Sequence, residues 1–234
     1  MSTHLTRKEL KQDNVALKVE ETFDFFTKYR QQIVRGGIVA VALAAVVGGT
    51  IYYRNAQHEV REQMLADAMT LQAAPVGQAP ANGGQSFATD AAKTDAVTKA
   101  YEKILKEHAG SDEAYSAEIA LATMAADAGN LADARKKFQD VADHADAAIG
   151  SLAKLSLAQI DFAENNSSAA QAILKDLQDH PTELVSKYQA MYTLARGIAQ
   201  SNPEEARKLL ISIASSQSDI AQPATQALSE LPSK

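Results

Sequence analysis

Ala134, Phe138 and Val141 recur 36 residues later as Ala170, Leu174 and Leu177, and 36 residues later again as Ala206, Leu210 and Ile213. Leu121-Ala122 maps onto Leu157-Ala158 at the same offset, and Asp143-His144 onto Asp179-His180. Steps of four and three residues place each triplet on one face of a helix. A period of this size, with two helices per unit, marks a helical solenoid. One hairpin cannot bury its apolar face alone, so several must stack. The small Ala lets the second helix of a hairpin approach the first, and the larger residues fill the space between hairpins. The pattern predicts helices over 90–109, 112–128, 131–144, 147–164, 167–179, 182–200, 203–215 and 218–230, an all-α fold. Ala56–Leu71, with Val60, Met64, Ala68 and Leu71 in a stripe, is expected to pair with 90–109 as an irregular first hairpin. Between them Ala73–Thr89 holds two Pro and three Gly without apolar periodicity, and reads as a flexible spacer. Ser218–Leu231 is expected to cap the stack with a more polar face.

A second feature constrains where such a stack can sit. Gly36 to Tyr53 is a stretch of 18 residues without a charge. As a helix it would be ~27 Å long, close to the ~30 Å hydrocarbon core of a bilayer. A cleaved signal peptide would carry a shorter apolar region nearer the start, and a buried core helix would be shorter and striped with polar residues. The stretch therefore reads as one transmembrane helix over 33–53, with Arg35 snorkelling to the headgroups. Lys18, Lys28, Arg30 and Arg35 precede it closely, whereas Arg54 and Arg61 after it alternate with Glu59 and Glu62. The basic side stays in the cytoplasm, which puts residues beyond the span outside. The expected parts are a basic tail over 1–32, the span over 33–53, a juxtamembrane helix and loop over 54–89, and the repeats over 90–234.

In the tail, Val15, Val19, Phe23 and Phe26 form an amphipathic stripe. It reads either as a helix lying on the inner leaflet or as a plain cytosolic lead-in. Within the span, Gly36, Ala40, Ala44 and Gly48 form a ridge of small residues. It either lets a partner helix or a second copy dock in the lipid, or reflects the ordinary abundance of small residues there.

Composition excludes several function classes. Residues 54–234 carry 16 Lys+Arg against 24 Asp+Glu, so a phosphate backbone is repelled and no nucleic-acid partner is expected. The absence of cysteine removes disulfides and thiolate metal sites. His108, His144 and His180 recur at 36-residue spacing, which invites a metal reading. Equivalent positions in successive hairpins lie roughly 16–20 Å apart, far beyond a ~2 Å zinc–nitrogen bond. They read instead as C-terminal helix caps. No nucleophile elbow, zinc-protease helix, phosphate loop or calcium loop is present, and pairs such as Asp112-Glu113 and Asp133-Arg135 read as solvated faces. Neither catalysis nor a cofactor is expected.

Gly129-Asn130-Leu131, followed by Ala134, Phe138 and Val141, resembles the turn and second helix of a tetratricopeptide repeat. Leu121-Ala122 sits where that repeat's first helix has a large residue followed by a small one. A second copy uses Leu157, Ala158, Asn165-Asn166, Ala170, Leu174 and Leu177. A looser third copy uses Leu194, Ala195, Asn202-Pro203, Ala206 and Leu210. The usual closing proline occurs only near Pro181, and the unit is 36 residues long in place of 34. The resemblance implies a concave groove lined by the first helices. Aligned, the copies place Ile119, Thr123, Leu155, Gln159, Phe162, Tyr192 and Arg196 on that side. These residues read either as a protein-binding groove or as inter-helix core.

Tail, span and Ala-rich repeats together, with stretches such as Tyr115–Leu131, resemble the bacterial YfgM family of ancillary Sec translocon subunits. That resemblance implies a bacterial inner-membrane protein with a cytoplasmic N-terminus and a periplasmic repeat domain. It implies translocon subunits, a periplasmic chaperone and exported clients as protein partners. Self-association is open, and so is an envelope scaffold for division or outer-membrane assembly that shares only the repeats.

Overall fold

The computed structural model describes residues 48–49, 57–77 and 84–231. The chain divides into two units, Met1–Glu59 and Val60–Lys234. In the first unit only residues 48, 49 and 57–59 are described, all helical. The tail, the ridge residues Gly36, Ala40 and Ala44, and all of the expected span except residues 48 and 49 thus lie outside the described residues. Gly48 is helical and exposed, with open space where a side chain would stand. Among the described residues no helix is long and apolar enough to cross a membrane.

Among the described residues of the second unit, the regular structure is helical apart from one isolated bridge. Helix α1 runs through residues 57–73. It is followed by α2 Asp90–Glu107, α3 Asp112–Asp127, α4 Leu131–His144, α5 Ala147–Ala163, α6 Ser167–Asp179, α7 Lys187–Ile198, α8 Pro203–Ala214 and α9 Ala221–Glu230. From α2 onward each helix packs on the next, and in addition α3 meets α5 and α5 meets α7. The odd helices therefore form one layer, with the even helices set against it. The core falls into four successive clusters, each drawn from three consecutive helices or the chain just before one. This is the nearest-neighbour architecture that the repeat requires.

The small residue of each triplet does what its size suggests. Ala134, Ala170 and Ala206 are fully buried, as are Ala122, Ala158 and Ala195 facing them from the first helices. Between the two helices of a hairpin the turns are built alike. Gly129 and Asn165, 36 residues apart, both have a left-handed backbone, at φ 78° and 63°. After each, the amide of the next residue reaches back, Asn130 N to Ala125 O and Asn166 N to Asp161 O. This is the six-to-one bond of a Schellman ending, which demands Gly or a tolerant Asn at the residue before. Asn130 then caps α4 by accepting from Asp133 N. The third turn differs. Asn202 N returns only four residues, to Ile198 O, before Asn202 caps α8 and Pro203 takes its first position.

Three expectations need correction. Helix α7 starts at Lys187, not at residue 182. Thr182 instead closes a turn, its Oγ1 accepting from Val185 N at 3.0 Å, and Ser186 with Gln189 forms a full capping box. Helix α9 starts at Ala221, not 218, because Ser216 and Ser218 bond each other's hydroxyls and occupy the turn. The spacer after α1 is pinned at its base by a bridge between Val76 and Phe87, with Gly77 N to Phe87 O at 2.8 Å and Phe87 N to Pro75 O at 3.0 Å.

Candidate functional site: the face of the odd helices

The first hairpin obeys the same rule as the others. Val97, Tyr101 and Ile104 on α2 are fully buried and stand 37 residues before Ala134, Phe138 and Val141. Ala68 on α1 packs with them, and the Tyr101 hydroxyl donates to Gln72 Oε1 at 2.6 Å. Burial pushes the Tyr101 phenol above its ordinary pKa. At the other end Ala117, Ala153, Ala190 and Ala227 are spaced by 36, 37 and 37 residues, and all four are buried. Helix α9 thus stands in the register of another first helix.

This register sets the odd-helix face. Ile119, Leu155 and Tyr192 occupy equivalent positions on α3, α5 and α7, and Thr123, Gln159 and Arg196 occupy another set one turn on. The first set is half-buried, with each member packed into an inter-hairpin cluster. Thr123, Gln159 and Arg196 are exposed. Thr123 and Gln159 line one depression together with Leu131 and Ile160. Phe162 and Arg196 line a larger cleft of 890 Å³, between the ends of α5 and α7, the start of α8, and α9. Asp127 lines that first depression too, so six of the seven residues are uncharged, the seventh is the Arg196 guanidinium, and a carboxylate stands beside the α3 end. None of its seven residues is among the large apolar side chains that stand exposed among the described residues, which are Val60, Met69, Val76, Leu184 and Ile211.

Charges tie the hairpins together elsewhere. Arg135 on α4 donates from Nη2 to Asp161 Oδ1 at 2.7 Å and Glu164 Oε2 at 2.6 Å, and Asp161 is buried. The hydrogen bond to Asp161 raises the Arg135 pKa further. Arg61 Nε donates to Glu113 Oε2 at 2.8 Å. Glu113 is buried, which corrects its reading as part of a solvated face: α1 brings a guanidinium over the start of α3. Glu118 is pushed above the usual carboxylate range, first by burial and then by Asp140. Lys154 holds Asp176 below that range.

The repeated histidines sit at helix ends. His144 Nδ1 lies 2.9 Å from Asp140 O, and His180 Nδ1 lies 3.1 Å from Asp176 Oδ1. Among the described residues no three His, Asp or Glu side chains are grouped to hold a metal ion.

No curated protein and no solved structure shows significant similarity to the chain. Comparison with protein families matches residues 24–222 to the tetratricopeptide repeat-like domain. Such domains are generally non-catalytic and bind protein partners. With the match spanning most of its length and the stacked hairpins in place, the chain belongs to the tetratricopeptide repeat-like family.

Proposed function

We propose that this protein is a non-catalytic adaptor tethered to the bacterial inner membrane by residues 33–53. Its N-terminus lies in the cytoplasm and its repeats in the periplasm. It acts as an ancillary factor of the Sec translocon, receiving exported chains beside a periplasmic chaperone through the strip on α3, α5 and α7. One observation carries this reading. The family match begins at residue 24, so the charge-free stretch and the repeats lie within a single matched region. A stack with a largely uncharged face, held at a membrane, is suited to protein contact, and no three His, Asp or Glu side chains among the described residues are grouped to hold a metal ion.

The test is crosslinking in intact cells from Thr123 or Gln159, followed by mass spectrometry of what is caught. Translocon subunits, a chaperone or exported chains support the reading. Capture confined to division or outer-membrane assembly proteins would replace it with an envelope scaffold of another kind. Recovery of the intact chain from the cytosol would remove the membrane tether.

A further inference from the structure

Of the seven side chains on the odd-helix face only Arg196 is charged. Its Nη1 donates to Glu230 Oε2 at 3.1 Å, with the two side chains 55% and 53% exposed. Both line the 890 Å³ cleft at the end of the strip, beside Phe162, Leu210 and Leu231. Glu230 is the last residue of α9, a helix without a side-chain cap hydrogen bond. That helix is docked on α8 through Ala224 and Ala227. So the strip ends at a guanidinium in an open cleft, and the carboxylate on it belongs to α9 of the same chain. Exposed ion pairs of this kind are weak, so one carboxylate can replace another there at little cost.

Building on the reading of this face as a protein-binding groove, we propose that Arg196 is its carboxylate-recognition point and that Glu230 is an autoinhibitory contact on it. The occupant is a segment of another protein that is uncharged along Ile119, Leu155 and Tyr192 and carries one acidic side chain at the α7 end. That acidic group displaces Glu230. Further charge on the occupant would be desolvated against Leu155 and Phe162 without a partner, which disfavours it.

The test uses the full chain in detergent micelles and short fluorescein-labelled peptides of Ala, Leu, Ser and Gln with Glu, Gln or Lys at one position. Fluorescence anisotropy reads the affinity. The Glu peptide is expected to bind most tightly. Glu230→Gln should tighten the Glu peptide by about 2- to 5-fold while leaving the Gln peptide unchanged. Arg196→Gln should remove the preference for Glu over Gln. If wild type and Glu230→Gln each bind the Glu and Gln peptides equally, the proposal is overturned and the groove reading stands. If no peptide binds any form, both fall. If Glu230→Gln melts lower and weakens all three peptides alike, Glu230 only holds α9 and the proposal fails.

Discussion

The Phe162 ring lies against the backbone of Gly197, so close that a methyl group on Gly197 would fall 2.2 Å from Cε2 of the ring. The contact joins α5 to α7 and fixes one side chain of the odd-helix face between two hairpins. Gly197 is the next-to-last residue of α7, in its last turn, where alanine is still the better helix former. Here the missing side chain is the space the ring fills. Gly197→Ala should therefore destabilise the protein, by about 1–3 kcal/mol through overpacking, in spite of its better helix propensity. Chemical denaturation measures the loss. Combining the change with Phe162→Ala should recover part of it, and strict additivity of the two would refute the contact as the cause.

The two matched turns predict opposite responses to similar changes. Gly129→Ala places a Cβ in left-handed backbone and should cost about 1–2 kcal/mol. Asn165 already bears that strain, so Asn165→Gly should be neutral or stabilising by a few tenths of a kcal/mol. Open space lies around Gly129, so the cost would come from the backbone alone. Equal midpoints for Gly129→Ala and wild type would contradict the turn geometry.

How much of this was legible in the sequence depends on the range of the interaction. Triplets such as Ala134, Phe138 and Val141 announce themselves because burial within a hairpin repeats at a fixed spacing. Val97, Tyr101 and Ile104 share the internal spacing but stand 37 residues before the first triplet, and two of the three steps from Ala117 to Ala227 are 37, so a strict 36-residue period does not align them. The late start of α7 was harder to see. It depends on Ser151 Oγ lying 2.7 Å from Thr182 Oγ1, a bond between distant parts of the chain. Glu113 likewise reads as solvated from its neighbours in sequence, because Arg61, which lies over it, is 52 residues away in the chain. On the odd-helix face, the tetratricopeptide resemblance and the aligned copies put forward seven residues without separating half-buried Leu155 from exposed Gln159. That distinction comes from how neighbouring hairpins lean on each other.

Asp161 sets up a test of the charged links. Breaking a buried pair leaves a desolvated charge, which costs about 3–5 kcal/mol when burial is complete. Arg135 is about one-third exposed, and Asn166 Nδ2 also donates to Asp161 at 3.4 Å, so some compensation remains. Arg135→Met should cost about 2–3 kcal/mol on that basis. The cost should shrink when Asp161→Asn is added, which removes the stranded charge. A melting temperature unaffected by Arg135→Met would show that water reaches Asp161 freely.

Glu118 gives a pH signature of known sign. Its folded-state pKa is raised, by burial and then by Asp140, so the folded protein holds this proton more tightly than the unfolded chain does. Ionised Glu118 therefore destabilises the fold, and the penalty disappears as pH falls through the raised pKa. Glu118→Gln should melt higher than wild type at neutral pH, and the two should converge as the pH is lowered. Melting curves that stay parallel across that range would place the carboxyl in ordinary solvent.

Helix α9 supplies the last prediction. Helix α9 covers Leu210, Ile213 and Met191 with Ala224 and Ala227, and it turns Gln222, Thr225, Gln226 and Ser229 to solvent. Solenoids need such a polar last layer, because the face beneath it is as apolar as any between two repeats. Removing residues 217–234 should expose that face without disturbing the three clusters that precede it. The shortened protein should keep its helical circular dichroism, melt lower, and associate with rising concentration in light scattering. Ala227→Glu should act in the same direction in the intact chain, since a carboxylate cannot be buried beside Leu210 and Ile213 unpaired. A shortened chain that remained monomeric with an unchanged melting temperature would mean that α9 seals nothing.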